Sequence, residues 1–304
     1  MRVESHNCNF TIDNVSITNR TGYYWTSTSA NNNVDGYAKS FIDGKEILEN
    51  KNHVYYVRPV RRVPLVAGTA VEIQGTSATF ANCANLATFE LEGKGKNASA
   101  TSKNIRGKFP NVTFLASIST FKITNTEMTG QIPDFSGAGS LSTLTLSNNK
   151  FSGAFTISNA FVDEISIDNN QLSQVANLEA AQLWKFKANN NNIAGIVPRF
   201  DNCLNIQEIY LQDNNLIEYL LGSLPDCTSL NSLNLSNNQL SAGSAERLLR
   251  DLEQNYENAK RGNVNINLLG NPQISLSQLV ENPVLAGIIQ KLTTTANWQL
   301  SINA

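Results

Sequence analysis

The amino-acid sequence predicts an α/β solenoid, in which short parallel strands stack into one sheet and extended segments return on the opposite side. One pattern of apolar residues ending in a polar residue recurs in phase eight times, and Leu141, Leu144, Leu146 and Asn149 form its cleanest copy. The polar positions fall at 94, 126, 149, 170, 191, 214, 238 and 271, so the inner copies are about 21 to 24 residues apart. Within each copy the central apolar residues alternate with other residues, which is typical of a short strand with one buried face.

This pattern, L-x-x-L-x-L-x-x-N, resembles that of the leucine-rich repeat, whose units are roughly 20–29 residues long. Four further copies share its phase: Val162, Ile165, Ile167 with Asn170; Leu183, Phe186, Ala188 with Asn191; Ile206, Ile209, Leu211 with Asn214; Leu230, Leu233, Leu235 with Asn238. Weaker copies flank them: Leu86, Phe89, Leu91 with Lys94; Ile118, Phe121, Ile123 with Thr126; Ile266, Leu268 with Asn271. The resemblance covers residues 86 to 304 and implies a curved solenoid with a parallel β-sheet on its concave face.

The last residue of the repeat has a separate role. After each strand the chain turns and leaves backbone groups inside, and an Asn side chain carries both the donors and the acceptor that can satisfy them. We therefore expect a ladder of Asn side chains from turn to turn. Residues 129–133 and 194–198 also resemble the G-x-I-P segment of plant-type leucine-rich repeats, which implies an extended or 3₁₀ convex side.

Composition bounds the class of protein. The chain has 304 residues, of which 41% are hydrophobic and 16% charged, and its net charge is −2. A nucleic-acid-binding protein would carry a basic patch or stripe, so no nucleic-acid partner is expected. No run of about 18 apolar residues occurs, so no membrane insertion is expected. The polar start, residues 1–10, shows no signal peptide, which favours another export route, an origin inside a longer protein or a place in a virus particle.

Residues 1–65 do not carry the repeat. They contain the stretch Gly-Tyr-Tyr-Trp-Thr-Ser-Thr at 22–28 and end with Val-Arg-Pro-Val-Arg at 57–61. These motifs, in this order, resemble the C-terminal half of the Lcl-type C-type-lectin-like domain, which occurs in bacterial surface proteins and bacteriophages. Only 21 residues precede Gly22, fewer than such a domain needs. The segment is therefore expected to be either a partial lectin-like unit or a small β-rich cap on the solenoid.

The C-terminal part changes character. Ser244 is predicted to cap a helix over residues 245–256, and a second helix is predicted over 285–292. Alternation of Trp298, Leu300 and Ile302 predicts a final strand. This ending resembles the C-terminal cap of leucine-rich-repeat surface proteins from bacteria and phages. The predicted domains are thus an N-terminal unit, 1–65, and a repeat domain, 66–304, whose cap is 244–304.

The sequence offers no catalytic grouping. His6 and His53 both lie outside the repeats, and no nucleophile, zinc or phosphate-loop motif occurs. We therefore expect no enzyme activity and no cofactor. The run Asp168, Asn169, Asn170 is rich in oxygen ligands but lacks the glycine-rich spacing of calcium-binding repeats, so no metal is predicted.

Three of the four cysteines recur at one position of the repeat. Cys83, Cys203 and Cys227 each stand 11 residues before the polar end of their unit. Other units hold Leu115, Ala138, Asn159 and Ala180 there. Small and often apolar residues in phase predict a buried position. Cys203 and Cys227 would lie on adjacent turns about 5 Å apart, so a disulfide stays open, although stacked side chains rarely meet its dihedral.

The residues between the leucines are predicted to form the concave face, because alternation turns them away from the core. Charge and the one aromatic side chain concentrate between residues 164 and 210. The predicted ligand-binding residues are Glu164, Asp168, Lys185, Lys187, Glu208, Tyr210 and Gln212. The alternative is that these side chains merely solvate an exposed sheet and pair locally.

The sequence therefore favours a non-enzymatic recognition or adhesion protein that binds a protein or a glycan, since solenoids present extended concave binding surfaces. The resemblances place it on a bacterial cell surface or in a phage particle, as a fibre-type receptor-binding component. A structural or decorating component of a larger assembly, without a ligand of its own, is the alternative.

Overall fold

A computed structural model describes the backbone of residues 2–4, 23–29, 35–40, 46–50 and 72–73, and both backbone and side chains of 86–93, 105–110, 112 and 115–304. The chain divides into two units: the first comprises Met1–Thr129 and Gly137–Leu141, the second Gly130–Ser136 and Ser142–Ala304. Cys83, the linker before it and most of the lectin-like segment lie outside the described residues. The domain boundary at residue 65 stays a prediction.

The first unit holds an antiparallel group and the first repeats. Its strands are β1 (Arg2–Glu4), β2 (Tyr23–Ser29), β3 (Asp35–Ser40), β4 (Glu46–Asn50), β5 (Glu72–Ile73), β6 (Thr88–Glu92), β7 (Arg106–Lys108), β8 (Thr120–Thr124) and β9 (Glu127–Gly130, whose last residue belongs to the second unit). Strands β2, β3 and β4 pair antiparallel. Strand β6 pairs parallel with β8 and antiparallel with β1. Strands β5, β7 and β9 pair parallel.

The second unit is a solenoid of the leucine-rich-repeat type with a helical cap. Its strands are β10 (Thr143–Thr145), β11 (Lys150–Phe155), β12 (Glu164–Ser166), β13 (Gln171–Val175), β14 (Lys185–Lys187), β15 (Ala194–Ile196), β16 (Glu208–Tyr210), β17 (Asn215–Glu218), β18 (Ser232–Asn234), β19 (Asn265–Asn267) and β20 (Gln299–Ser301). Its helices are α1 (Ala242–Ala259), α2 (Leu276–Glu281), α3 (Pro283–Gln290) and a π-helical turn, Lys291–Thr295.

One strand of each turn joins a single parallel sheet, in the order β10, β12, β14, β16, β18, β19 and β20. The register places the middle residue of each strand directly beside the middle residue of the next, as in Ile165, Phe186 and Ile209. All three are fully buried. Phe186 also packs edge-on against Phe200, with ring centroids 5.8 Å apart. The predicted strand phase is therefore confirmed, because the apolar positions of successive turns form one core.

The convex side is extended, as predicted. Strand β11 pairs parallel with β13, and β15 pairs parallel with β17. Both pairs contain a register irregularity next to a glycine, Gly153 or Gly195, and both glycines have φ near +85°. A side chain at that φ would be strained, so glycine allows these strands to kink away from the sheet.

The predicted Asn ladder is also confirmed. Asn191 is representative: its Nδ2 donates to the carbonyls of Ala188 in its own turn (3.0 Å) and Ile167 in the preceding turn (3.1 Å), and its Oδ1 accepts from Leu172 N (3.0 Å). Buried counterparts with the same bonding are Asn170, Asn214, Asn238 and Asn271. Each amide thus ties its own turn to the strand end and to the convex segment of the preceding turn.

A second column beside this ladder was not predicted from the sequence. The residue before each ladder Asn has a left-handed φ, between 53° and 73°. These residues are Asn148, Asn169, Asn190, Asp213, Asn237 and Gly270. Asn, Asp and Gly tolerate that conformation best. The Asn-Asn pairs of the sequence therefore combine two functions, one residue making the turn and the next satisfying the backbone inside it.

The cap differs from the prediction at its start. Helix α1 begins at Ala242 and is capped by Ser241, whose side chain accepts from Ser244 N, so the predicted cap Ser244 was wrong. Ser244 is instead buried in the first turn, where its Oγ accepts from Tyr219 N (3.0 Å). The helix predicted over 285–292 is present as α3 and the start of the π-helical turn, and the short helix α2 before it was not predicted. The final strand is confirmed as β20.

The recurring cysteine position is buried, as predicted: Cys203 and Cys227 are fully buried, and both are free thiols. Burial raises the pKa of Cys203 to about 11 and that of Cys227 to about 12. Cys227 Sγ faces the Cys203 carbonyl, 3.9 Å away, and Phe200 O, 3.4 Å away. The thiols therefore behave as small apolar side chains of the core.

These raised pKa values predict low reactivity. At pH 8 the thiolate fraction falls about a hundredfold when the pKa rises from 9 to 11, and the thiolate is the reactive form. Labelling of Cys203 and Cys227 by iodoacetamide, followed by peptide mass spectrometry, is expected to proceed at least a hundredfold faster in denaturant than in the folded protein. Equal rates would contradict the placement of this position in the core.

Candidate ligand-binding face of the parallel sheet

The outward side chains of the parallel sheet form three rows that run across the strands. The first row contains Thr143, Glu164, Lys185, Glu208 and Ser232; the second contains Thr145, Ser166, Lys187, Tyr210 and Asn234; the third contains Ser147, Asp168, Asn189, Gln212 and Ser236. We call the outward residues of β12, β14 and β16, with the third-row residue that follows each, the concave patch. It holds all seven predicted binding residues.

In the first row the charges are paired. Lys185 Nζ lies 3.3 Å from Glu208 Oε2 and 3.9 Å from Glu164 Oε1, and 5.2 Å from the centre of the Trp184 ring. The lysine side chain is 24% exposed and each glutamate 31%. Partly exposed pairs of this kind contribute about 0.2–1 kcal/mol. Lys185 is therefore largely neutralised by its neighbours, although the sequence suggested that it was available to a ligand.

The second row presents the free groups. Lys187 and Tyr210 stand side by side on β14 and β16, and both are half-buried. Within the described residues neither side chain has a hydrogen-bond, ion-pair or ring partner. Tyr210 is followed in this row by Asn234 on β18, whose Oδ1 accepts from Ser236 N and Oγ.

In the third row, Asp168 is buried and its carboxylate accepts two hydrogen bonds. Ser147 Oγ donates to its Oδ1 at 2.6 Å, and Asn169 Nδ2 donates to its Oδ2 at 2.5 Å. Asp168 is 7% exposed, so it is among the least accessible of the seven predicted residues. The next two residues along the row, Asn189 and then Gln212, have buried side-chain oxygens with no hydrogen-bond partner among the described residues.

Sequence reasoning missed Asn189. It stands in a run of four Asn residues, 189–192, and only the repeat phase separates its outward position from the ladder position of Asn191. The unsatisfied oxygen is a property of the folded environment, which residue type alone does not indicate. Among the residues that the structure describes, no group of three or more His, Cys, Asp or Glu side chains is arranged to hold a metal ion.

A second surface lies on the loops that lead into the strands. A shallow depression of about 530 Å³ is lined by Ala160, Glu179, Ala181, Asp201, Asn202 and Leu204. Leu204 and the adjoining Phe161 are more than half exposed. The depression has fewer charged groups than the concave patch, and Asp201 is already paired with Arg199.

No protein-family profile and no curated protein matches this chain in sequence. Several solved structures are similar. The plant peptide hormone receptor RGFR1 in complex with RGF2 is 19% identical over 67% of this chain and 31% of its own, with a TM-score of 0.49. The complex PEPR1-AtPEP1 is 18% identical over 57% and 28%, with a TM-score of 0.46. The leucine-rich-repeat ectodomain of GASSHO1/SCHENGEN3 from Arabidopsis thaliana is 19% identical over 66% and 26%, with a TM-score of 0.42.

The chain thus spans less than a third of the length of these receptors. The fold type follows from the chain itself: the in-phase repeats, the parallel sheet and the Asn ladder form a solenoid of the leucine-rich-repeat type. Within the described part of the chain, no helix has the length and apolar character to cross a membrane.

Proposed function

We propose that this protein is a non-enzymatic recognition protein that binds a protein partner through the concave patch. The observation that carries the proposal is the pair Lys187 and Tyr210, an ammonium and a phenol held side by side on adjacent strands without a partner in the described chain. Tyrosine on a rigid element gives a large contact for little loss of side-chain entropy, which is why it is enriched among binding hot spots.

The other predicted residues frame this pair. The sign of the charge changes from strand to strand. Glu164 lies on β12 and Asp168 follows that strand, Lys185 and Lys187 lie on β14, and Glu208 lies on β16. Such an alternation selects a partner whose charges have the opposite sign at each position, positive facing β12 and β16 and negative facing β14, because like charges in contact oppose binding. Gln212 and the buried Asp168 lie in the third row, just beyond the strand ends and next to the row that holds Lys187 and Tyr210.

The proposal also includes an alternative class of ligand and a location for the protein. A glycan is the alternative ligand class, and a bacterial cell surface or a phage particle is the proposed location. The lectin-like motifs at 22–28 and 57–61 and the resemblance of residues 244–304 to caps of bacterial and phage surface proteins support this location. A structural component without a ligand remains the alternative function.

A photo-crosslinking experiment tests the binding surface. The photoreactive residue p-benzoylphenylalanine replaces Tyr210 in one variant and Ser173, an exposed residue of the convex strand β13, in a matched control. Each is irradiated with surface extracts of the organism that produces the protein. We expect one dominant adduct from position 210 and none from position 173. Equal adducts from both positions, or none from position 210, would favour the structural role.

The same partner then gives a quantitative test. Tyr210→Ala combined with Lys187→Ala is expected to weaken binding about 30-fold, or roughly 2 kcal/mol, the scale of hot-spot truncations. Thr143→Ala combined with Thr145→Ala, on β10 of the same sheet, is the control and should leave the affinity unchanged. Undiminished binding by the first variant would remove the concave patch from the proposal.

A further inference from the structure

We infer that strand β16 carries a subsite for a guanidinium group, so that the partner presents an arginine side chain to Glu208, Tyr210 and Gln212. This inference rests on the proposed function and names the chemistry that the partner brings to it. Glu208 and Tyr210 lie on one face of β16, and Gln212 follows at the next outward position, so that successive residues are about 7 Å apart. They offer a carboxylate, an aromatic ring and an amide oxygen in that order.

On one side of Tyr210 the neighbouring strand carries only short side chains. The next strand, β18, places Ser232, Asn234 and Ser236 beside Glu208, Tyr210 and Gln212. These are small or short side chains, and Asn234 is already turned toward Ser236 by hydrogen bonds. On the other side stands Lys187, whose charge repels a cation. A guanidinium therefore stacks on Tyr210 from the side of Asn234.

Glu208 supplies the charge. Its Oε2 lies 3.3 Å from Lys185 Nζ, and Lys185 is shared with Glu164. Two carboxylates around one ammonium leave a net negative charge in the first row, and the Glu208 side chain is 31% exposed. A guanidinium that pairs with a carboxylate while stacking on an aromatic ring combines two favourable interactions, and arginine makes such contacts more often than lysine.

The unsatisfied oxygens favour a ligand rich in N–H donors. Among the residues that the structure describes, no donor reaches the buried Gln212 Oε1 or Asn189 Oδ1, and Asn189 is only 8% exposed. Unpaired buried acceptors in a native protein require an explanation, and a ligand that is bound in the working state is one. The terminal torsion of an amide side chain is broad, so each oxygen can turn toward an incoming donor. An arginine residue brings five side-chain N–H groups and one backbone N–H.

The test uses three short probes on the intact protein labelled with ¹⁵N. They are the tripeptide amides acetyl-Gly-Arg-Gly, acetyl-Gly-Lys-Gly and acetyl-Gly-citrulline-Gly, the last having the shape of arginine without its charge. We expect the arginine probe to shift the NMR signals of residues 208–212 and 232–236 with a dissociation constant on the order of millimolar. The lysine probe should bind at least threefold more weakly, and citrulline should cause no shift.

Variants separate this subsite from general electrostatics. Tyr210→Ser and Glu208→Gln should each weaken the arginine probe at least fivefold, whereas Lys187→Met should tighten it. Thr145→Val, in the same row on β10, is the matched control. Equal shifts from citrulline and arginine, or unchanged binding by Glu208→Gln, would overturn the subsite. If the partner crosslinks through position 210 but no probe binds, the proposed function stands and this inference falls; if arginine binds but no partner crosslinks, the reverse holds.

Discussion

Replacement of Asp251 by alanine is expected to lower the free energy of unfolding by about 3–5 kcal/mol, because each buried donor left without an acceptor costs about 1–3 kcal/mol. Asp251 lies on α1 and is 2% exposed. Its Oδ2 accepts from the Tyr219 phenol at 2.6 Å and from Ser223 N at 2.9 Å, and its Oδ1 accepts from Gly222 N at 2.9 Å. Alanine would leave these donors buried and unpaired.

The same carboxylate fixes the cap onto the last convex loop. Burial and the adjacent Asp251 raise the pKa of Tyr219 far above its usual range, so the phenol is protonated at neutral pH and can donate to the carboxylate. One helical turn further, Asn255 Nδ2 donates to the carbonyls of Leu224 (2.8 Å) and Cys227 (2.9 Å). The helix therefore satisfies both donors and acceptors of the loop, which closes the core that the repeats alone would leave open.

Urea unfolding followed by circular dichroism gives the measurement. Hydrogen exchange of the amides of residues 222–224 locates the effect, because these amides lose their acceptor directly. Glu246→Ala on the same helix is the control: Glu246 forms an exposed ion pair with Arg250, and its removal should change stability by no more than about 0.5 kcal/mol. A loss below about 1 kcal/mol for Asp251→Ala would mean that the carboxylate does not hold the cap.

The strand phase, the Asn ladder and the outward face of the parallel sheet could be predicted because each depends on the residues of a single repeat. The alternation of Leu144 and Leu146 identifies the core without reference to any other turn. The pairing of Lys185 with two glutamates was not predictable in the same way. The pairing depends on the register between β12, β14 and β16. This register places Lys185 beside Glu164, 21 positions earlier, and beside Glu208, 23 positions later. The sequence therefore indicated which side chains face outward, but not which of them are already engaged.

The cap shows a second limit. The sequence Ser-Ala-Gly-Ser at 241–244 offers two serines that can cap a helix, and only the position of the first helical turn decides between them. Asp251 was passed over because the apolar residues Leu248, Leu249 and Leu252 define the buried stripe by themselves. A carboxylate inside that stripe becomes interpretable only when the loop that supplies its donors is known.

The run of four asparagines at 189–192 provides the sharpest test of the repeat phase. Asn191→Ala is expected to lower the free energy of unfolding by about 3–4 kcal/mol, since it removes donors to the carbonyls of Ile167 and Ala188 and the acceptor of Leu172 N, all buried. Asn192→Ala, one residue later, changes an exposed side chain and should alter stability by less than about 0.5 kcal/mol.

Both variants are measured by urea unfolding, and neither changes the composition of the concave patch. Because Asn191 connects three segments, its loss should also raise hydrogen exchange at Leu172 N and in β14 before it affects α1. The two substitutions would then differ by several kcal/mol in their effect on the free energy of unfolding. The reason is the position of each asparagine relative to the strand that precedes it. Equal effects of Asn191→Ala and Asn192→Ala would contradict the phase on which the outward orientation of Lys187 and Tyr210 depends.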